Sequence, residues 1–323
     1  MGTGYRMTTD RIRGSFDVQL SRAERTLHLF SLYAQDEITL FPEKLILTLG
    51  TKFERNDFTG FETQPSARLL WNTSKSHTLW VSAARAVRTP SRADDDVRLN
   101  FITGVGTARS ILGNPNLRSE VLNAFELGHR WQILERLSLD TALFYNEYTR
   151  LRGVGVQSIG PDPALPLIPT VTQLVFENQT DGEVYGGELA TTWKVLDIWT
   201  LRPSYSLLLM RMHLKPAAGL GAEVAEEGQS PVHQAMLRSS VDLPGNVTWD
   251  ALLRYVGGLR TLPVPAYLAL DSGITWRPRS WVELSVVGQN LLDDHHPEFK
   301  PITFISPQSE IPRSVFGKVT FRF

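Results

Sequence analysis

Read in steps of two, the last ten residues put Val315, Gly317, Val319, Phe321 and Phe323 on one face. Phe316 apart, the other face is polar: Ser314, Lys318, Thr320 and Arg322. Successive side chains of an extended strand point to opposite sides, so this alternation predicts a strand with one apolar and one wet face. The same period recurs upstream. Leu137, Leu139, Leu143 and Tyr145 oppose Ser138, Asp140 and Asn146, and Ala235, Leu237, Val241 and Leu243 oppose Arg238, Ser240 and Asp242. Val247, Trp249, Ala251, Leu253 and Tyr255 oppose Thr248, Asp250 and Arg254, and Val282, Leu284 and Val286 oppose Glu283 and Ser285. Units of about nine to eleven residues match a tilted strand crossing a bilayer. Strands of soluble proteins are mostly nearer five or six.

The pattern predicts about fourteen such strands, over 10–22, 26–40, 44–58, 62–72, 77–88, 118–132, 137–150, 172–193, 199–212, 232–243, 247–258, 264–277, 280–291 and 312–323. Short turns fall at 41–44, 72–76, 133–136, 243–246 and 277–280. Longer connections, rich in Gly, Pro and charge, fall near 89–117, 151–171, 213–231 and 292–311. Short turns on one side and long loops on the other is the asymmetry of bacterial outer-membrane barrels. Trp71, Trp131, Trp199, Trp249, Trp276 and Trp281 stand close to strand ends. That is the depth of a membrane-interface girdle, although the rim of a β-sandwich would also place Trp near turns.

Composition narrows the classes. The chain has 323 residues, a net charge of −1 and 42% hydrophobic residues. No run approaches the roughly eighteen apolar residues of a membrane helix. Balanced charge argues against a nucleic-acid partner. The absence of cysteine removes disulfides and thiolate metal sites. Met1–Thr8 has no basic segment followed by an apolar core, so no secretory signal is visible, in tension with an envelope location.

Candidate chemistry is confined to the connections. No nucleophile elbow, P-loop or zincin pattern is present, so no catalytic residue, resident metal or cofactor is assigned. Arg85, Arg88 and Arg92, beside Asp94–Asp96, lie where a strand meets a long loop. They suit contact with an anionic chelate, or simple solvated loop charge. His295 and His296, with Glu298, are the second candidate cluster. Adjacent residues diverge in a strand but can converge in a loop. Asp94–Asp96 offers oxygen ligands for a divalent cation, against the plainer reading of three solvated acids. Arg238, Asp242, Asp250, Arg254, Lys318 and Arg322 are expected to face a wet interior.

Several stretches resemble the C-terminal barrel of TonB-dependent outer-membrane receptors. They are Leu32–Glu37 with Leu47–Glu54, Pro65–Trp71 with Val81–Ser91, Gly113–Glu120, Tyr185–Glu188, and Gly288–Asp293 with His296–Phe299. None is specific alone; their order along the chain is what carries the resemblance. It implies an all-β, antiparallel transmembrane β-barrel, with about 14 strands belonging to a larger, 22-stranded, plugged barrel. The whole of 1–323 is then one barrel domain truncated at its N-terminus, without plug, signal peptide or TonB-contacting box. The resemblance further implies active transport across the outer membrane of a ferric chelate (siderophore or haem) or similar scarce nutrient. Its partners would be outer-membrane lipid, the barrel-assembly machinery and the TonB energy-transducing complex, reached through a plug. Val319, Phe321 and the terminal Phe323 look like the assembly signal of that family's last strand.

The alternatives are a passive fourteen-stranded porin-like channel, a soluble β-sandwich or propeller binding carbohydrate or protein, and, weakest, a barrel enzyme. An open fourteen-strand sheet in lipid would leave roughly five unpaired donor–acceptor pairs on each edge, at several kcal/mol per group. Such a wall must close, pair with other strands or fail to insert.

Overall fold

The computed structural model describes residues 1–215, 227–300 and 309–323. In chain order the strands are β1 (Gly2–Arg11), β2 (Val18–Leu20), β3 (Glu24–Phe41), β4 (Leu45–Asn56), β5 (Gly60–Ser74) and β6 (His77–Arg88). A short helix α1 (Arg92–Asp96) leads to β7 (Val97–Gly104), β8 (Thr107–Leu112), β9 (Glu120–Leu134), β10 (Leu137–Gly160), β11 (Thr170–Leu196) and β12 (Trp199–Leu214). There follow β13 (His233–Leu243), β14 (Val247–Val256), β15 (Tyr267–Arg279), β16 (Val282–Gln289), β17 (His295–Pro297), β18 (Glu310–Pro312) and β19 (Ser314–Phe321).

Fourteen of these form one antiparallel meander, β1-β3-β4-β5-β6-β9-β10-β11-β12-β13-β14-β15-β16-β19. Cross-strand partners share a face, so the register sorts every side chain. One row runs Leu47, Leu69, Val81, Leu127, Leu143 across five strands, all on the outer face. The terminal pairing Val282↔Phe321, Leu284↔Val319 and Gly288↔Val315 continues that face. The opposite face carries ion pairs, among them Arg277–Glu283 at 2.9 Å, Arg322–Glu283 at 3.2 Å, Arg254–Asp271 at 3.4 Å and Arg238–Asp250 at 3.6 Å. A polar concave side and an apolar convex side are what a barrel wall needs between a wet lumen and lipid.

Aromatic residues bracket the apolar band. Trp71, Trp131, Trp193, Trp249, Trp276 and Trp281 lie beside the short turns and are all substantially exposed, while Tyr5, Tyr145, Tyr205 and Tyr255 lie toward the long loops. On β9 and β14 the two belts are six residues apart (Phe125 to Trp131, Trp249 to Tyr255), roughly 20 Å along the strand. Trp199 points the same way and its indole N–H donates to Ser239 Oγ at 3.0 Å.

One predicted strand is misplaced. The segment 10–22 is not a stave of the wall; the first stave is Gly2–Arg11, and 12–23 is a loop holding the three-residue β2. The alternation of Tyr5 and Met7 against Gly4, Arg6 and Thr8 is diluted by glycine, whereas Phe16, Val18 and Leu20 mimic a strand in a loop. The outer connections also carry more structure than expected: β7 and β8 form a hairpin, β2 joins β7, and β8 pairs in parallel with Thr170–Val175 of β11.

Among the described residues no ladder joins β1 to β19, so the wall is open. β1 covers only Glu24–Tyr33 of β3, leaving Ala34–Phe41 unpaired on that side.

Candidate functional site

The long-loop end of the wall is held by arginine–carboxylate pairs built around α1. Ser91 caps this helix: its hydroxyl accepts from the Asp94 N–H while Asp94 Oδ2 accepts from the Ser91 N–H at 2.8 Å. This reciprocal capping satisfies two otherwise orphaned donors. Asp94 is 2% exposed and also contacts the Arg152 guanidinium, with Arg88 3.8 Å away. Burial pushes its carboxyl up, but the Ser91 N–H and hydroxyl and the Arg152 guanidinium outweigh that and hold it below its ordinary value. Next to it, Arg25 pairs with Asp95 and reaches Asp96 at 3.8 Å.

The Gly113–Glu120 stretch ties this helix to the wall. Asn114 N–H donates to the Asp94 carbonyl at 2.8 Å, and its side chain donates to the Phe176 carbonyl at 2.9 Å. At Gly113 a Cβ would stand 2.6 Å from the Asp96 nitrogen, so only glycine fits there. Beyond it, Arg98 pairs with Asp162 and bonds Asn100 and Ser110 at 3.0 and 3.1 Å. Burial raises the Asp162 carboxyl, yet the Arg98 guanidinium and the Ala164 N–H hold it low.

The sequence-predicted residues fall into separate places. Arg88 lies opposite Glu120 across the ladder and grips it with two nitrogens, one at 2.7 Å, while remaining half exposed. Arg92 is 8% exposed and pairs with Asp10. Arg85 donates to the Thr63 carbonyl and lies 3.9 Å from Glu62. The three arginines therefore do not converge on one point. Asp94, Asp95 and Asp96 each face an arginine, and no group of three or more potential metal-ligating side chains gathers among the described residues.

His295 and His296 lie on the β17–β18 ribbon and so diverge. His295 is exposed, 3.3 Å from Glu310, while His296 is 4% exposed and stacks on Tyr267 with ring centroids 4.1 Å apart. Glu298 joins the second group, accepting from the Tyr267 hydroxyl at 3.0 Å and lying 3.3 Å from His296 Nε2. At the far end, Val319 and Phe321 face outward and Phe323 extends freely beyond β19. Sequence reading missed Arg152, Glu120, Arg25 and Arg98. Their oppositely charged partners lie 32 to 70 positions away, so no local spacing marks them.

The comparisons agree with this architecture. The family model "TonB dependent receptor-like, beta-barrel" matches residues 1–291. The chain belongs to the TonB-dependent receptor β-barrel family. A crystal structure of a mutant ferric enterobactin receptor PfeA from Pseudomonas aeruginosa is similar with a TM-score of 0.74 at 20% identity, over 94% of this chain and 46% of that one. The siderophore receptor PirA from Acinetobacter baumannii gives 0.74 at 15% identity, over 94% and 47%. The outer membrane transporter YddB from Escherichia coli gives 0.68 at 12%, over 93% and 46%. At these identities the likeness is one of fold. This TonB-dependent receptor-family chain spans about half the length of the solved receptors it matches. No curated protein sequence matches it. The family is one of outer-membrane receptors rather than enzymes, and it accounts for the lipid-facing convex side of the wall.

Proposed function

We propose that residues 1–323 are a single barrel-wall unit of an outer-membrane receptor that takes up a ferric chelate or similar scarce nutrient, energised through TonB. The observation that carries this reading is the fourteen-strand wall with an ion-paired lumen, coinciding with the family match over 1–291. Open edges at β1 and β19 fit a wall completed by further strands, since unpaired backbone groups in lipid cost several kcal/mol each. They speak against a free-standing passive channel.

Substrate contact is proposed for the half-exposed Arg88, the exposed His295 and Glu298 at the outer mouth, with the buried His296 holding Glu298 in place from behind. Arg85 and Arg92 frame the loops from which that contact is made. Val319, Phe321 and Phe323 are proposed as the strand read by the barrel-assembly machinery. The test is growth on a panel of ferric chelates as sole iron source, in a host lacking its own receptors and carrying the complete receptor gene with and without TonB. TonB-dependent growth on one chelate supports the reading. TonB-independent permeability to unrelated solutes of the same size overturns it.

A further inference from the structure

The chain has seven histidines. Five of them have a tyrosine hydroxyl or a glutamate within reach, as His28 has Tyr5 and His213 has Glu183. The other two face each other. His77 Nδ1 lies 3.0 Å from His129 Nε2, with the rings 4° from parallel and their centroids 5.3 Å apart. The ladder fixes where this pair stands. His77 opens β6 directly after a short turn and lies opposite Trp131 of β9, with His129 two residues back on the same face. Trp131 in turn lies opposite Leu139, in phase with the outward Leu143. Both imidazoles therefore sit on the lipid-facing side of the wall, in the short-turn aromatic belt, where Trp131 stacks on His77 at 5.3 Å. Each keeps part of its surface in solvent. In outer-membrane barrels the short-turn end faces the periplasm.

A neutral imidazole has one donor and one acceptor nitrogen, so the facing nitrogens share a single proton. Moving that proton to the far nitrogen of its own ring leaves two lone pairs at one gap. A separation of about 3.0 Å is that of two neighbouring ligands on a metal ion with bonds of about 2.1 Å at right angles. Turning the two rings toward a common point then brings both lone pairs onto one ion. A pair serving only to anchor the wall at this depth would be met by Trp or Tyr, as elsewhere in the belts, without two polar rings side by side at the edge of the lipid. Imidazole suits copper, nickel and zinc, and copper(II) is held most tightly of these, whereas magnesium and calcium prefer carboxylate oxygen. Neither histidine is paired with a carboxylate among the described residues, and the chain has no cysteine. We propose that His77 and His129 form a binding site for a divalent transition-metal ion, copper(II) above zinc(II), on the lipid-facing periplasmic rim of the wall. Two protein ligands leave the remaining coordination positions open to water. The ion is held outside the lumen, so the inference stands on the wall alone and needs no transport.

The test is titration with copper(II) of the complete receptor, purified in detergent without a histidine tag and stripped with chelator, read by electron paramagnetic resonance. A copper(II) signal split by two imidazole nitrogens is expected, displaced by excess zinc(II) and untouched by magnesium. His77→Ala and His129→Ala should each weaken that binding at least tenfold and remove the two-nitrogen splitting, with heat-modifiable gel mobility showing that the barrel is folded. His233→Ala, at an outward histidine bonded to Tyr205, should leave both unchanged. In the unsubstituted receptor, copper(II) should protect His77 and His129 from diethyl pyrocarbonate, mapped by mass spectrometry, which decides the matter even where an alanine variant fails to fold. A spectrum with oxygen or single-nitrogen coupling only, binding unchanged in both alanine variants, or no protection of the pair overturns the proposal. None of these results depends on uptake, so they are separable from failure of the transport reading.

Discussion

Replacing Asp94 with alanine should loosen the outer loops while leaving the wall intact. The substitution removes the capping box on Ser91, a loss of about 1 kcal/mol. It also removes the charge-assisted contact with Arg152, worth about 1.5–3 kcal/mol in a dry site. Arg152 is 40% exposed and Arg88 52%, so solvent screening keeps this second contribution at the low end. The sum is about 2–3 kcal/mol of local stability, or roughly 30- to 150-fold faster amide exchange where opening is local. Hydrogen exchange read by mass spectrometry on peptides covering 91–119 and 150–178 measures it directly. Peptides from β14, far along the ladder, serve as the internal reference. Less than threefold acceleration in the loop peptides, or an equal acceleration in β14, would refute the view of Asp94 as a local hub.

Three further outcomes are expected. Because the Asp94 and Asp162 carboxyls are held below their ordinary values in the folded loops, their stabilisation is fully present above about pH 5 and is lost only as pH falls below about 4; loop exchange rates, corrected for intrinsic pH dependence, should be flat from pH 8 to 5 and rise below 4. Gly186→Val should disrupt the β11–β12 ladder, since a Cβ there runs into the Leu207 carbonyl and comes within 2.8 Å of the Phe144 ring; a loss of about 3 kcal/mol should lower the urea midpoint of the heat-modifiable gel band. Leu143→Arg, on the outer face between the aromatic belts, should cost about 2–4 kcal/mol in the same assay, whereas Ala142→Arg, one residue away on the lumen face, should cost less than about 1.

Strand period and turn length made the wall legible in the sequence. A strand polar on both faces could slip in register, but lipid on one side and water on the other fix each strand to a single alternation. Hence β6, β10 and β14 start where the alternation starts, at His77, Leu137 and Val247. The first stave was illegible because Gly2 and Gly4 blank out alternate positions, and residues 16–20 of the neighbouring loop carry the stronger pattern. The candidate site was legible only as composition. Arg85, Arg88 and Arg92 stand close in sequence, but a strand and a helix turn send them to Thr63, Glu120 and Asp10 respectively. The divergence of His295 and His296 follows from a three-residue strand too short to announce itself.

The central claim is that alternate residues of one strand meet lipid and water. The absence of cysteine gives a clean background for single-cysteine variants at 314–321 of β19, one per position, expressed in outer membranes. A membrane-impermeant, water-soluble thiol reagent should modify the even positions such as Lys318 and Thr320, on the lumen face. Odd positions such as Val315, Gly317 and Val319 should resist it and instead quench against a lipid-dissolved probe. A period of two in both readouts, opposite in phase, is the predicted result; uniform reactivity along the strand, or a reversed phase, would contradict the account.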